Sequence, residues 1–437
     1  MNRNEEDPPM MNIFVANPSH NPDSRHGVRA LYERELLDVF ATGYVDHPDD
    51  PLSSTIKRVV RGVRPSYVRQ LERRAFHDIP FEKIRTHPLG QLLQDAADKL
   101  IGNPTLTDRI WEWKEHRFDR WAAQQLHETM DAVKVQEHAA LATLQVARQR
   151  NIPTFYRQPS LHHEFVKRSY REQRRSHSEL GAKQAHLHDS PLSAKRNARR
   201  DRELELADYV IVNSSFTERT LKEAGLEPEK IMVIPLGCPR VNPKEQRAPE
   251  TVNFLNAGTQ DVHKGSHLLY EAWHRLSPES DEASLQLIGR MNLSEHLRED
   301  LPGAVRCEAS IPHDDLMDRY RNASVFVLPS LADGFAMVVT EAMSRGLPVI
   351  TTENTGAADL ITHGENGFVL PANDVEALTQ QMRWCIENKH RLPEIGRRAV
   401  ETARNWQWSD HRRALAETMQ EKIKEHQRGT ESRPVEE

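Results

Sequence analysis

The sequence predicts an α/β protein built from two doubly wound, parallel-sheet domains facing each other across a cleft. Three observations carry that expectation. Short apolar runs such as MNIFVANPS (11–19), DYVIVNSS (208–215) and SVFVLPS (324–330) alternate with helix-patterned stretches, as parallel strands joined by crossover helices require. The alternation breaks at PRVNPKEQRAPE (239–250), Pro-rich, charged and without periodicity, and then restarts. A length of 437 residues suits two or three domains of ordinary size.

Taken in order, MNIFVANPS and LLDVFATGY (36–44) read as the first two buried strands. Residues 52–130 form a long helix-rich region with few strand signals. DAVKVQEHAALATLQVARQRNIPTFY (131–156) reads as strand, helix, strand, and a charged, largely helical stretch follows. After the strand DYVIVNSS, SFTERTLKEAG opens on Ser and Thr caps and closes at Gly225. IMVIPLG (231–237) is a further buried strand. Beyond 239–250, which reads as a hinge, strands and helices resume with TVNFLNAGT (251–259), KGSHLLYEAWHRL (264–276), LQLIG (285–289), SVFVLPS and LPVITT (347–352). The final helix, WSDHRRALAETMQEKIKEH (408–426), has mixed faces suited to packing back across the hinge. The expected domains are 1–240, 241–404, and 405–437 as a returning helix with a loose tail.

Composition narrows the function classes. Hydrophobic residues make up 37% and charged residues 28%, the net charge is −6, and the mean hydropathy is −0.72. A dedicated nucleic-acid binder carries a basic surplus, so no nucleic-acid partner is expected. Cys238, Cys307 and Cys385 are far apart with no metal-type spacing, and read as reduced thiols of a cytoplasmic protein. No apolar run is long enough to span a bilayer. MNRNEEDPPM (1–10) lacks a signal-peptide core and reads as a disordered leader, and QRGTESRPVEE (427–437) as a loose tail. Residues 167–202 hold 11 Lys/Arg against 4 Asp/Glu. That run reads as a solvated helical arm, with peripheral contact at the inner membrane face as its alternative. HPDDP (47–51) imitates a metal-binding pair of aspartates but reads as a Pro-bounded turn.

The chemistry concentrates in LPSLADGFAMVVTEAMSRGLPVI (328–350). Asp333 stands on a Gly turn before a helix expected from about Phe335, whose free N–H groups form an anion site. Glu341 follows eight positions later. Each acid has a plain reading and a functional one. Asp333 is a helix N-cap or a ligand group; Glu341 pairs with Arg345 at i+4 or binds a ligand.

The run D-G-F-A-M-V-V-T-E-A-M-S-R-G-L-P-V-I, continued by TGAADLITHGENGFVLPANDVEAL (355–378), resembles the retaining glycosyltransferases of family 4 (glycosyl transferases group 1). Their GT-B fold has two Rossmann-like domains. In that family the first acid is Glu, and Asp333 takes its place, one methylene shorter. The resemblance implies that Glu341 binds ribose hydroxyls, that Asp333 contacts the donor sugar, and that Gly334, Phe335 and Ala336 line the donor. FLNAGTQDVHKGSHLLYEAW (254–273) resembles the family's strand–Gly–Arg–loop–Lys–Gly segment. Lys264 takes the place of the Lys that neutralises the diphosphate; Gly258 precedes Thr259, which stands where the family has Arg. His263 or Arg290 is a candidate replacement for that charge. In RQPSLHHEF (157–165), Ser160 and His162 take the places of a Ser-x-His found in a subgroup of the family, whose His touches the donor sugar, with His163 the competing choice. In NPSHNPDSRHGVRALYERELL (17–37), the usual Gly-rich loop retains only Gly27. The match is strong over 205–390, weaker over 131–205, and thin before that.

The resemblance implies a retaining glycosyltransferase acting from a nucleoside-diphosphate-sugar donor on a saccharide, lipid-linked or small-molecule acceptor, with a place in polysaccharide biosynthesis. It implies catalysis by Asp333, His162 and Lys264, and no metal or cofactor. The alternatives are a catalytically degenerate sugar-nucleotide-binding scaffold, and a GT-B epimerase or phosphorylase.

Overall fold

The structure is a computed structural model that describes residues 11–63, 68, 71–72, 74–100, 103–177, 190–243, 247–297 and 301–431. The expected leader (1–10), the centre of the basic run (178–189), residues 244–246 of the expected hinge, and the tail from 432 lie outside the described residues.

Thirteen strands form two sheets among these residues. The first contains β1 (Ile13–Asn17), β2 (Leu37–Thr42), β3 (Ile84–Thr86), β4 (Ala132–Gln136), β5 (Thr154–Gln158), β6 (Tyr209–Val212) and β7 (Ile231–Val233). Its order is β3-β2-β1-β4-β5-β6-β7. The second contains β8 (Val252–Ala257), β9 (Ala283–Ile288), β10 (Ala304–Glu308), β11 (Val325–Leu328), β12 (Val349–Thr352) and β13 (Phe368–Leu370), in the order β10-β9-β8-β11-β12-β13. The pairs β1–β2, β1–β4, β8–β9, β8–β11 and β11–β12 are all parallel. Central strands are buried along their whole length, as β1, β4 and β11 show. That is why β1 and β11 read as near-continuous apolar runs, whereas β4 (AVKVQ) also buries Lys134 and Gln136. Neither β3 nor β10 is announced by an apolar run. β3 has three residues, and β10 is an edge strand exposed along most of its length, so neither needs an apolar run.

The chain divides into two compact units. One comprises Met1–Gln158, Lys195–Ile211 and Arg412–Glu437; the other comprises Pro159–Ala194 and Val212–His411. Helix starts follow local chemistry. Asn21 and Asn103 cap helices Pro22–Tyr32 and Pro104–Ala123, each with Pro in its first turn. Ser214 caps Ser215–Glu223 by accepting from Thr217 N–H. In HPDDP, Asp50 accepts from Leu52 N–H at 2.9 Å, a turn at the start of helix Pro51–Val63.

In the second unit, helix Ser266–Leu276 presses Leu269, Tyr270 and Trp273 against Phe254, Leu285 and Val327 of the sheet. Trp273 is fully buried and its indole N–H donates to Pro302 O at 2.8 Å. Each large apolar side chain buried this way contributes about 1.5–3 kcal/mol over exposure.

The last helix, Trp408–Glu431, runs further than expected, into residues 427–431. Its first turn packs within the second unit, where an added Cβ on Gly237 would collide with Trp408 and His411 Nδ1 meets Pro235 O at 2.8 Å. The remainder packs within the first unit. There Arg412 pairs with Glu33 at 2.6 Å and Glu417 with Arg34 at 2.7 Å. Cys238, Cys307 and Cys385 are all free.

Candidate functional site

Strand order in the second sheet reverses between β8 and β11, and ligands of doubly wound sheets bind beyond the carboxyl ends at such a switch point. Lys264 lies on the crossover after β8 and Asp333 on the crossover after β11. The two loops are laced together. Leu331 and Ala332 N–H both donate to His263 O, at 2.8 and 3.2 Å. Gly265 has φ +65, and an added Cβ would collide with the Pro329 carbonyl. Only glycine fits there.

The lacing brings Lys264 Nζ onto Asp333 Oδ2, to which it donates. The side chains are 29% and 13% exposed, so the pair is shielded but reachable from solvent. Burial works against the ammonium charge, but Asp333 outweighs it and holds Lys264 above the ordinary lysine range. The other Asp333 oxygen, Oδ1, accepts from Phe335 N–H at 3.2 Å.

Helix Met337–Ser344 begins two residues later than the sequence suggested. Ala336, at φ +64, occupies the cap position and no side chain caps the helix. Asp333 is therefore not its N-cap: the carboxylate closes the turn ahead of the helix. Phe335 and Ala336 are buried, at 4% and 7% exposure. Residues 354–357 clamp the turn, with Asp333 N–H donating to Asn354 O (3.1 Å), Gly356 N–H to Asp333 O (2.9 Å) and Ala357 N–H to Phe335 O (2.7 Å). Gly334 O accepts from Ser214 Oγ at 2.9 Å and Thr217 Oγ1 at 3.3 Å.

Glu341 is 8% exposed. Its Oε2 accepts from Tyr320 O–H at 3.1 Å, and Oε1 lies 3.9 Å from His313 Nδ1. Burial raises its pKa, opposed by His313, Tyr320 and Arg345. The i+4 pairing with Arg345 does not form. The helix ends at Ser344, and Arg345 turns to donate to Arg240 O at 3.0 Å.

Gly258 (φ +131, open space around its Cα) and Thr259 lie on the loop that leads to Lys264, and both are half-buried. Thr259 supplies no charge, and Arg290 is exposed. His162 caps helix His163–Ser176 by accepting from Glu164 N–H at 3.3 Å, and its ring lies 4.3 Å from that of His163. The segment before it approaches the Asp333–Phe335 turn, since an added Cβ on Gly334 would lie against Pro159 O. Gly27 belongs to the first unit. It faces Lys134, a buried lysine that desolvation lowers to about 8 against the pull of Asp23.

Among the candidates, then, the fold joins Lys264 to Asp333, keeps Gly334, Phe335 and Ala336 beside them, and bonds Glu341 to Tyr320. Tyr320, Ser214 and Thr217 were not recognised in the sequence. Their partners lie on other elements, and no local spacing announces them.

Comparison with known proteins bears on the fold and on one segment of the sequence. HepE of Anabaena, solved with UDP-glucose, superposes over 94% of this chain and 100% of its own, with TM-score 0.57 and 18% identity. With the two parallel sheets, this makes the fold GT-B, two Rossmann-like domains. Residues 240–406 match the family model Glycosyl transferases group 1. An uncharacterized glycosyltransferase of Haemophilus influenzae is 30% identical over 184 residues, 41% of this chain and 52% of that protein. Sulfoquinovosyl transferase SQD2 of Arabidopsis thaliana is 29% identical over 180 residues, 39% of this chain and 34% of that protein. The chain thus spans about half the length, or less, of these curated relatives.

Proposed function

We propose that the protein is a glycosyltransferase that moves a sugar from a nucleoside-diphosphate-sugar to a saccharide, lipid-linked or small-molecule acceptor, with retention of configuration. The observation that carries this reading is the Lys264–Asp333 pair at the β8/β11 switch point, ahead of a helix start that no side chain caps. A diphosphate arriving there takes the ammonium and the first helix N–H groups as charge-assisted donors. Asp333, released from Lys264, turns to the sugar hydroxyls. Glu341, held by Tyr320 through one oxygen, offers the other to the ribose.

Catalysis in this reading is electrostatic: the lysine and backbone donors stabilise the negative charge growing on the departing diphosphate. A leaving phosphate oxygen takes the acceptor proton on the face that the sugar bond vacates, which gives retention without a protein nucleophile. His162 approaches the sugar from the Pro159 side. Protein donors meet the diphosphate charge, so chelators are expected to leave turnover unchanged.

The test is a melting panel of nucleoside diphosphates and their sugars. A ligand at a hundred times its dissociation constant stabilises by about 2.7 kcal/mol. One nucleotide series is expected to shift the transition, and the anomeric signal of the product then reports retention. If no nucleotide shifts the melt, the donor site is not at this switch point.

A further inference from the structure

In the first unit, helices Pro88–Leu100 and Pro104–Ala123 pack side by side. The inner seam is tight. An added Cβ on Gly90 would come within 2.8 Å of Lys114 Cγ, and Lys114 Nζ donates to Gln91 Oε1 at 3.2 Å. Phe118, Ala122 and Ala97 are buried, and Asp119 accepts from Ala142 and Thr143 N–H at 2.8 and 3.0 Å. The pair is anchored by one side.

The other side is unusual. Among the described residues only six large hydrophobic side chains are exposed, and four of them are on these two helices: Leu89 (52%), Leu93 (47%), Leu106 (43%) and Trp113 (40%). Leu89, Leu93 and the exposed Ala96 recur at i, i+4 and i+7, one stripe of a helix. On the second helix the exposed stripe is Leu106, Arg109, Trp113, Arg117 and Arg120. Its apolar members alternate with arginines, no acid stands in it, and the Arg117 guanidinium lies over the Trp113 ring at 5.4 Å. Scattered exposed leucines need no explanation, but a contiguous stripe with one sign of charge does.

We propose that this helix pair is a docking face for an anionic lipid surface. Leucines and a tryptophan at the level of the headgroups bury apolar area, while arginine stems lie along the interface with their charges in the phosphate layer. The charge sign selects this occupant over a second copy of the chain. A twofold interface would set Arg109, Arg117 and Arg120 against themselves with no acid in either exposed stripe to answer them. An anionic bilayer answers all three, although the chain as a whole carries a net charge of −6. The surface is distinct from the basic run at 167–202. It does not rest on the glycosyltransferase reading, and its test involves no turnover.

The experiment is co-sedimentation of the full chain with vesicles of phosphatidylcholine alone and of phosphatidylcholine mixed with phosphatidylglycerol. Binding is expected to the mixed vesicles, weakening as salt rises. Arg109→Gln and Arg120→Gln, both at exposed positions, should each lower the partition coefficient about fivefold. Leu93→Gln with Trp113→Gln should abolish binding while the melting curve stays unchanged. Equal binding to neutral vesicles, binding indifferent to these substitutions, or no binding overturns the proposal. So does a concentration-dependent dimer that the Leu93→Gln, Trp113→Gln protein loses, which would assign the face to a second copy.

Discussion

The Lys264 ammonium donates to Asp333 Oδ2 across two crossover loops that are 69 residues apart in sequence. The site thus holds its own counter-ion in the position where an anionic ligand is expected. A diphosphate must displace that carboxylate before it gains the lysine.

Asp333→Asn should therefore tighten binding of the bare nucleoside diphosphate, by about fivefold for a partly exposed pair worth about 1 kcal/mol. The full donor should gain less, because it also loses the sugar contact. Calorimetric titration of both ligands checks this. Weaker binding of the bare diphosphate would mean that Asp333 helps to hold it.

Lys264→Ala should reduce kcat/KM by about ten- to a hundredfold, the cost of about 1.5–3 kcal/mol for a lost charge-assisted partner. Denaturant unfolding should change little, since Asp333 keeps its bond to Phe335 N–H at 3.2 Å and some access to solvent. Undiminished turnover in soluble protein would place the diphosphate elsewhere.

Glu341→Gln separates function from stability through pH. Burial raises the Glu341 pKa in the folded state. Below the unfolded value both states are protonated, and ionisation carries no folding cost. As pH rises through the folded value the buried charge forms and the wild-type protein loses stability. The Gln variant has no such loss, so its melting temperature should match or exceed that of wild type at neutral pH and the advantage should vanish in acid. Nucleotide affinity should nonetheless fall about five- to a hundredfold. Melting curves across pH, with and without nucleotide, supply both readings.

Gly265→Ala tests the lacing of the loops. A methyl group at φ +65 would meet the Pro329 carbonyl. Destabilisation of about 1–3 kcal/mol by denaturant unfolding is expected, with a larger loss of nucleotide binding than Ala introduced at Gly62, whose Cα faces open space. Equal effects at the two glycines would show that the loop contact does not shape the site.

Most strands of both sheets were legible in the sequence because buried parallel strands are mostly apolar, short and local; β3 and the exposed edge strand β10 were not. Asp333, Glu341 and Lys264 were legible as a family pattern, since a turn and the following helix keep fixed spacing along the chain. Only the tertiary structure decided what each of them touches. Tyr320 holds Glu341 from another helix, and Ser214 and Thr217 hold the Gly334 carbonyl from beyond a different strand. The helix start moved from Phe335 to Met337 because residues 354–357 claim the backbone of Asp333–Phe335, an interaction no local propensity encodes. The expected Glu341–Arg345 pair failed for a related reason: the helix ends at Ser344 and Arg345 finds the Arg240 carbonyl. Spacing along the chain fixes which groups can share a helix face, whereas partners brought together by strand order exist only once the sheet has formed.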